Sequence, residues 1–141
     1  MKNILFLCTG NSCRSIMAEA YLNHVGGARY KAFSAGSSPT GNVHPMAIKT
    51  LENDGLTTPS ARSKSWDAFA GIQAPKMDFI VTVCDNAAGE TCPIWPGHPA
   101  TYHWPFPDPA AFTGDEEAVK AHFADVFALI KHRIDAFVGG A

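Results

Sequence analysis

The chain has 141 residues, 46% hydrophobic and 17% charged, enough for one domain that buries roughly 70% of the surface its unfolded chain exposes without help from a metal or disulfide. Its net charge of −2, from 11 Lys and Arg against 13 Asp and Glu, argues against nucleic-acid and anionic-membrane binding, both of which need a basic excess. The opening MKNILFLC is too short for a signal peptide and no apolar run reaches bilayer length, so a cytoplasmic location is expected, with the four cysteines mostly reduced.

Ile4 to Leu7 is a continuous apolar run, the pattern of a strand buried on both faces. Thr9-Gly10-Asn11-Ser12 is turn chemistry. From Ser15 the spacing becomes helical: Ile16, Met17, Ala20, Tyr21, His24 and Val25 share a face, and Gly26-Gly27 ends the helix. Tyr30 to Ser34 reads as a second short strand, with a loop from Ala35 to Pro39. Pro45 suits a helix start and Asp54-Gly55 its end. Asp78 to Val83, rich in β-branched residues, is the clearest strand, and Tyr102 to Trp104 reads as a fourth. Asp115-Glu116-Glu117 opens the last helix with negative charge at the positive end of its dipole. Val119, Phe123, Val126, Phe127, Ile130, Ile134 and Phe137 form its core stripe.

Strands alternating with helices predict an α/β fold: a single domain over residues 1–141, with a four-stranded parallel sheet, helices on both faces and right-handed connections. Ligands in such sheets sit beyond the carboxyl ends of the strands. Cys8, Cys84 and Asp108 each follow a predicted strand, so all three are expected at that edge. The Pro-rich stretch from Pro93 to Pro109 reads as a long loop, of the sort that often carries function.

Five residues separate Cys8 from Arg14. A strand-to-helix loop that short turns its backbone N–H groups inward, and the helix amino terminus adds its field, so Thr9, Gly10, Asn11, Ser12, Cys13, Arg14 and Ser15 form an anion nest. Arg14 can grip two oxygens of a tetrahedral oxyanion with its planar fork. The same positive field favours Cys8 as thiolate, a nucleophile beneath the bound anion, and Ser15 can donate a hydrogen bond to its sulfur. The competing reading is a structural Cys8 with Arg14 in a surface pair. Strand, turn, Arg-Ser and amphipathic helix together favour the oxyanion site.

CTGNSCRS resembles the phosphate loop of the low-molecular-weight protein tyrosine phosphatases and of the arsenate reductases that share their fold, and the resemblance runs from Asn3 to Phe137. It implies that Asp108, in Trp104-Pro105-Phe106-Pro107-Asp108-Pro109, is the general acid; without it, a turn aspartate before proline is the plainer reading. The phosphatase branch places proline after Arg-Ser and tyrosines after Asp-Pro, whereas this chain has Ile16 and Ala110-Ala111. The order strand, Cys84, a small polar stretch from Asp85 to Thr91, then Cys92-Pro93 resembles the thioredoxin-coupled arsenate reductases. That resemblance implies arsenate as substrate and a disulfide relay through Cys84 and Cys92, regenerated by thioredoxin or by glutaredoxin with glutathione. The enzyme alternative is a phosphotyrosine phosphatase. A zinc- or oxyanion-binding module is the other, with Cys84, Cys92, His98 and His103 as metal ligands, although the cysteine spacing is wide for a compact zinc site.

No tightly bound cofactor is expected beyond a potassium ion, which some arsenate reductases of this fold hold behind the loop. Asn11, Glu19 and Ser34 match three of its ligands by motif and Asp67 matches loosely. The alternative is that Asn11 braces the loop and Glu19 is a solvated helix residue. Cys13 reads as packing, with an off-pathway disulfide to Cys8 under oxidation. Trp66, Trp95 and Trp104 read as core or loop anchors.

Overall fold

The computed structural model describes residues 2–8, 13–27, 29–36, 41–56, 63, 65, 77–83, 100–104, 106 and 114–139. Its elements are β1 (Lys2–Cys8), α1 (Arg14–Val25), β2 (Tyr30–Gly36), α2 (Pro45–Asn53), β3 (Phe79–Thr82), β4 (Ala100–His103) and α3 (Glu116–Gly139). The strands form one sheet in the order β2-β1-β3-β4. All three pairings are parallel, so the predicted four-stranded parallel sheet is what the chain builds.

β1 lies between two neighbours, which is why its sequence is apolar without alternation. Ile4, Leu5, Phe6 and Leu7 are each at most 1% exposed. Successive side chains point to opposite faces, so both faces of the sheet are buried. On the Phe6 face, α3 supplies the cover: the Phe137 ring lies 5.5 Å from Phe79 and 5.6 Å from Trp104. On the other face Leu5, Leu7 and Ile80 are equally buried.

The helices also pack on one another. The Tyr21 ring meets Phe127 edge-on at 6.0 Å, and His44 of the α2 cap lies 4.8 Å from Phe123. Lys131 Nζ bonds Asp54 at 3.1 Å, across the gap between α3 and the end of α2. The predicted stripe of α3 holds: Phe123, Val126, Phe127, Ile130 and Ile134 are buried, and Val119 and Phe137 pack against them. Pro45 sits at the start of α2, and His44 Nδ1 accepts the Met46 N–H as its cap.

Several boundaries differ from the sequence reading. α1 begins at Arg14, one residue before Ser15, and its buried face is Ser15, Ile16, Met17, Ala18, Tyr21 and Leu22. His24 is exposed and Leu22 fully buried, because α1 packs on both β2 and α3 and its apolar surface is broader than one stripe. Ala35 and Gly36 belong to β2, paired with Leu7 and Cys8, where their composition implied a loop. β3 is shorter than Asp78 to Val83, and β4 is Ala100 to His103 where Tyr102 to Trp104 was expected. Trp104 is a core residue, 7% exposed; Trp66 and Trp95 lie outside the described residues, as do the expected loop positions Ser37 to Pro39.

Two side chains fasten α1 in place. Asn23 accepts the Ala32 N–H at 2.8 Å and donates to the Ala32 carbonyl at 3.2 Å, taking up the backbone groups of Ala32 in β2. Tyr21 donates its hydroxyl to Asp135 at 2.7 Å, tying α1 to α3. Burial, then the Asp135 carboxylate that accepts this bond, push the Tyr21 hydroxyl up from 10.0 to about 12, with Asp54 adding a smaller repulsion. A raised folded value means that the neutral phenol's stabilisation is complete below pH 10.0 and is lost as pH rises through about 12. Urea titrations should therefore show wild type losing stability across that window more steeply than Tyr21→Phe. Parallel curves would remove this bond from the stability of the fold.

Candidate active site

Parallel pairing brings the carboxyl ends of all four strands to one edge: Cys8, Gly36, Thr82 and His103. Cys8 closes the central strand and is 3% exposed. Arg14 is the first residue of α1, and the preceding Cys13 is its N-cap, with its carbonyl accepting from Met17 N–H at 2.8 Å. Cys13, 3% exposed, and Ser15, 0% exposed, are packed inward. Cys13 is thus a packing residue, as its position implied. The fold thereby sets a buried thiol at the end of β1 and a guanidinium at the amino end of α1, where the helix field is positive.

Thr9, Gly10, Asn11 and Ser12, between those two anchors, lie outside the described residues, as do Asp67, Cys84, Cys92, His98 and Asp108. Their immediate neighbours are described. Val83 N–H donates to the Leu7 carbonyl at 2.8 Å, so the pairing of β3 with β1 runs up to the residue before Cys84. Trp104 N–H donates to Thr82 at 2.8 Å and Phe106 N–H to Val83 at 3.2 Å. The chain that leads toward Asp108 therefore follows the end of β3 after β4 has ended.

Arg14 Nη1 donates to the Phe106 carbonyl at 3.0 Å, across 92 residues of sequence. Sequence reading missed this link, since a backbone carbonyl has no residue signature. The guanidinium carries five N–H donors, so this bond is compatible with a two-oxygen grip on an anion.

Behind the site, the buried Ser34 Oγ donates to the Glu19 carboxylate at 2.5 Å. Glu19 is partly buried, which corrects the alternative of a solvated helix residue: α1 turns it toward β2. His103 Nδ1 lies 2.6 Å from Thr82 Oγ1. Among the described residues no group of three or more His, Cys, Asp and Glu is placed to hold a metal, and no helix is long and apolar enough to cross a membrane.

The family model of low molecular weight phosphotyrosine protein phosphatases matches residues 3–140. The arsenate reductase of Bacillus subtilis (strain 168) is 39% identical over 136 residues, covering 96% of this chain and 94% of its own length. Among solved structures, arsenate reductase from Archaeoglobus fulgidus DSM 4304 superposes with a TM-score of 0.74 at 29% identity, covering 96% of this chain and 98% of that one. The thioredoxin-dependent arsenate reductase of Corynebacterium glutamicum gives 0.72 at 25% identity, over 99% of this chain and 60% of that one. With a parallel sheet in the order β2-β1-β3-β4 and Cys8 and Arg14 at the two ends of its first loop, the chain belongs to the low molecular weight phosphotyrosine protein phosphatase family, within its arsenate reductase branch.

Proposed function

We propose that this protein reduces arsenate to arsenite with Cys8 as nucleophile. The observation that carries the reading is the pairing of a buried thiol at the end of the central strand with Arg14 at the opening of α1, in a chain 39% identical to an arsenate reductase. Arg14, the amides from Thr9 to Ser15 and the α1 amino terminus hold the tetrahedral anion. The Cys8 thiolate displaces one arsenate oxygen, forming a sulfur–arsenic bond. Asp108 protonates the departing oxygen, which leaves as water.

Reduction takes two electrons. The Cys84 thiolate attacks the Cys8 sulfur, and a disulfide forms as the sulfur–arsenic bond breaks. That bond's electron pair stays on arsenic, which leaves as arsenite. The Cys92 thiolate then attacks Cys84, releasing the Cys8 thiolate and leaving a Cys84–Cys92 disulfide. An external dithiol reduces this last disulfide, and thioredoxin is the dithiol favoured by the likeness to the Corynebacterium glutamicum protein.

Glu19 and Ser34, already in contact through oxygen atoms, suit a hard monovalent cation, and we assign a potassium site to them with Asn11 and Asp67. When bound, the ion would brace the anion loop from behind. Melting in potassium chloride should exceed melting in sodium chloride at equal ionic strength, and identical midpoints would remove the site. The functional reading is tested by arsenate-dependent NADPH oxidation, run once with thioredoxin and its reductase and once with glutaredoxin, glutathione and glutathione reductase. Oxidation in the first system supports the whole reading. Oxidation in the second alone changes the reductant, and none in either removes the function.

A further inference from the structure

We propose that Phe106 is a positioning residue whose backbone couples the oxyanion-binding arginine to the acid loop. This rests on the reading of Asp108 as the acid. Phe106 is held from both sides of its own backbone: its N–H donates to Val83 at 3.2 Å and its carbonyl accepts from Arg14 Nη1 at 3.0 Å. Its ring, half-buried, packs against the core.

The sequence around it makes this peptide the sole means of attachment through backbone donors. Pro105 and Pro107 have no N–H, so Phe106 carries the one main-chain donor between Trp104 and Asp108. That donor goes to Val83, the residue before Cys84. Downstream the sequence is Pro107-Asp108-Pro109, and a proline fixes its own φ and disfavours helical backbone at the residue before it. By those rules the sequence leaves few free torsions between the anchored carbonyl and the Asp108 carboxylate. In this proposal the anchored Phe106 backbone sets where the segment leading to Asp108 starts, and Arg14 is one of the two groups that hold it. The same bond steadies Arg14 in return.

The test is a double-mutant cycle on the full chain. Phe106→Gly keeps both backbone groups but releases the torsions and removes the packed ring. It should lower kcat for arsenate about tenfold, since small misplacements of a reacting group cost up to a hundredfold. In an Asp108→Asn background the same change should cost less than about twofold, because the acid it positions is already gone. Inorganic phosphate, titrated calorimetrically, should bind Phe106→Gly about threefold more weakly than wild type, as Arg14 loosens. Phe106→Leu, which keeps a packed side chain and the backbone bonds, should restore both values. Phe106→Ala replaces the glycine variant if that one does not fold. Equal loss in both backgrounds would make Phe106 structural and overturn the proposal, as would unchanged phosphate affinity. A wild type that binds phosphate yet reduces no arsenate removes the functional reading instead, and the phosphate arm then decides the Arg14 tether by itself.

Discussion

Cys92→Ser enzyme should reduce one equivalent of arsenate per chain and then stop. In the proposed mechanism displacement by Cys8 and attack by Cys84 need no third thiol, so the first arsenite should form normally. The expected product is a Cys8–Cys84 disulfide, and Cys8 is only 3% exposed at the end of β1. Burial of the Cys8 sulfur should hinder in-line attack on it by the thiolate of a protein reductant. In the proposed relay wild type should move the disulfide to Cys84–Cys92 and turn over. Cys84→Ser should release no arsenite at all, because nothing attacks the Cys8–arsenic adduct. Peptide mass spectrometry after one turnover identifies the linked pair in each protein. Repeated turnover by Cys92→Ser with thioredoxin would show that the enclosed disulfide is reduced directly, and the relay would be wrong.

Arg14→Lys should lower kcat/KM for arsenate by about a hundredfold or more, the usual cost of removing a preorganised oxyanion donor. Lysine keeps the charge but offers a point charge in place of a planar fork, so the two-oxygen grip goes. It also cannot both reach the anion and keep the 3.0 Å bond to the Phe106 carbonyl. Inorganic phosphate, a competitor of the same shape, should inhibit the variant far less than wild type. Steady-state rates with and without phosphate measure both effects. Near-normal turnover would remove Arg14 from the site.

Much of the fold was legible because its signals are local. Ile4 to Leu7 announces a strand buried on both faces, and the α3 stripe from Val119 to Phe137 repeats at helical spacing over five turns. Local pattern fails where a partner decides. Ala35-Gly36 has the composition of a turn, yet pairing with Leu7 and Cys8 makes it strand. Leu22 and His24 exchange their expected exposure because α1 faces two neighbours at once. The ends of the first loop, Cys8 and Arg14, were readable because strand, turn and helix follow one another within a few residues. The Arg14–Phe106 bond, 92 residues long in sequence, and the Tyr21–Asp135 bond, 114 residues long, were not. Each joins groups whose nearness exists only after the sheet has formed.

The attachment of Asn23 to Ala32 bears on how these molecules behave in company. An outer strand of a sheet displays unspent N–H and C=O groups, and such a row is a template for the strand of another molecule. Here the outward groups of Ala32 are already taken by a carboxamide of the same chain, and further along the strand Gly36 is bridged to Ser65. Lys31 adds an exposed charge between them and the strand's start. A neighbour pairing with β2 at Ala32 would have to displace Asn23 first. In a crowded solution the carboxamide, the bridge to Ser65 and the Lys31 charge together disfavour edge-to-edge self-association along this strand.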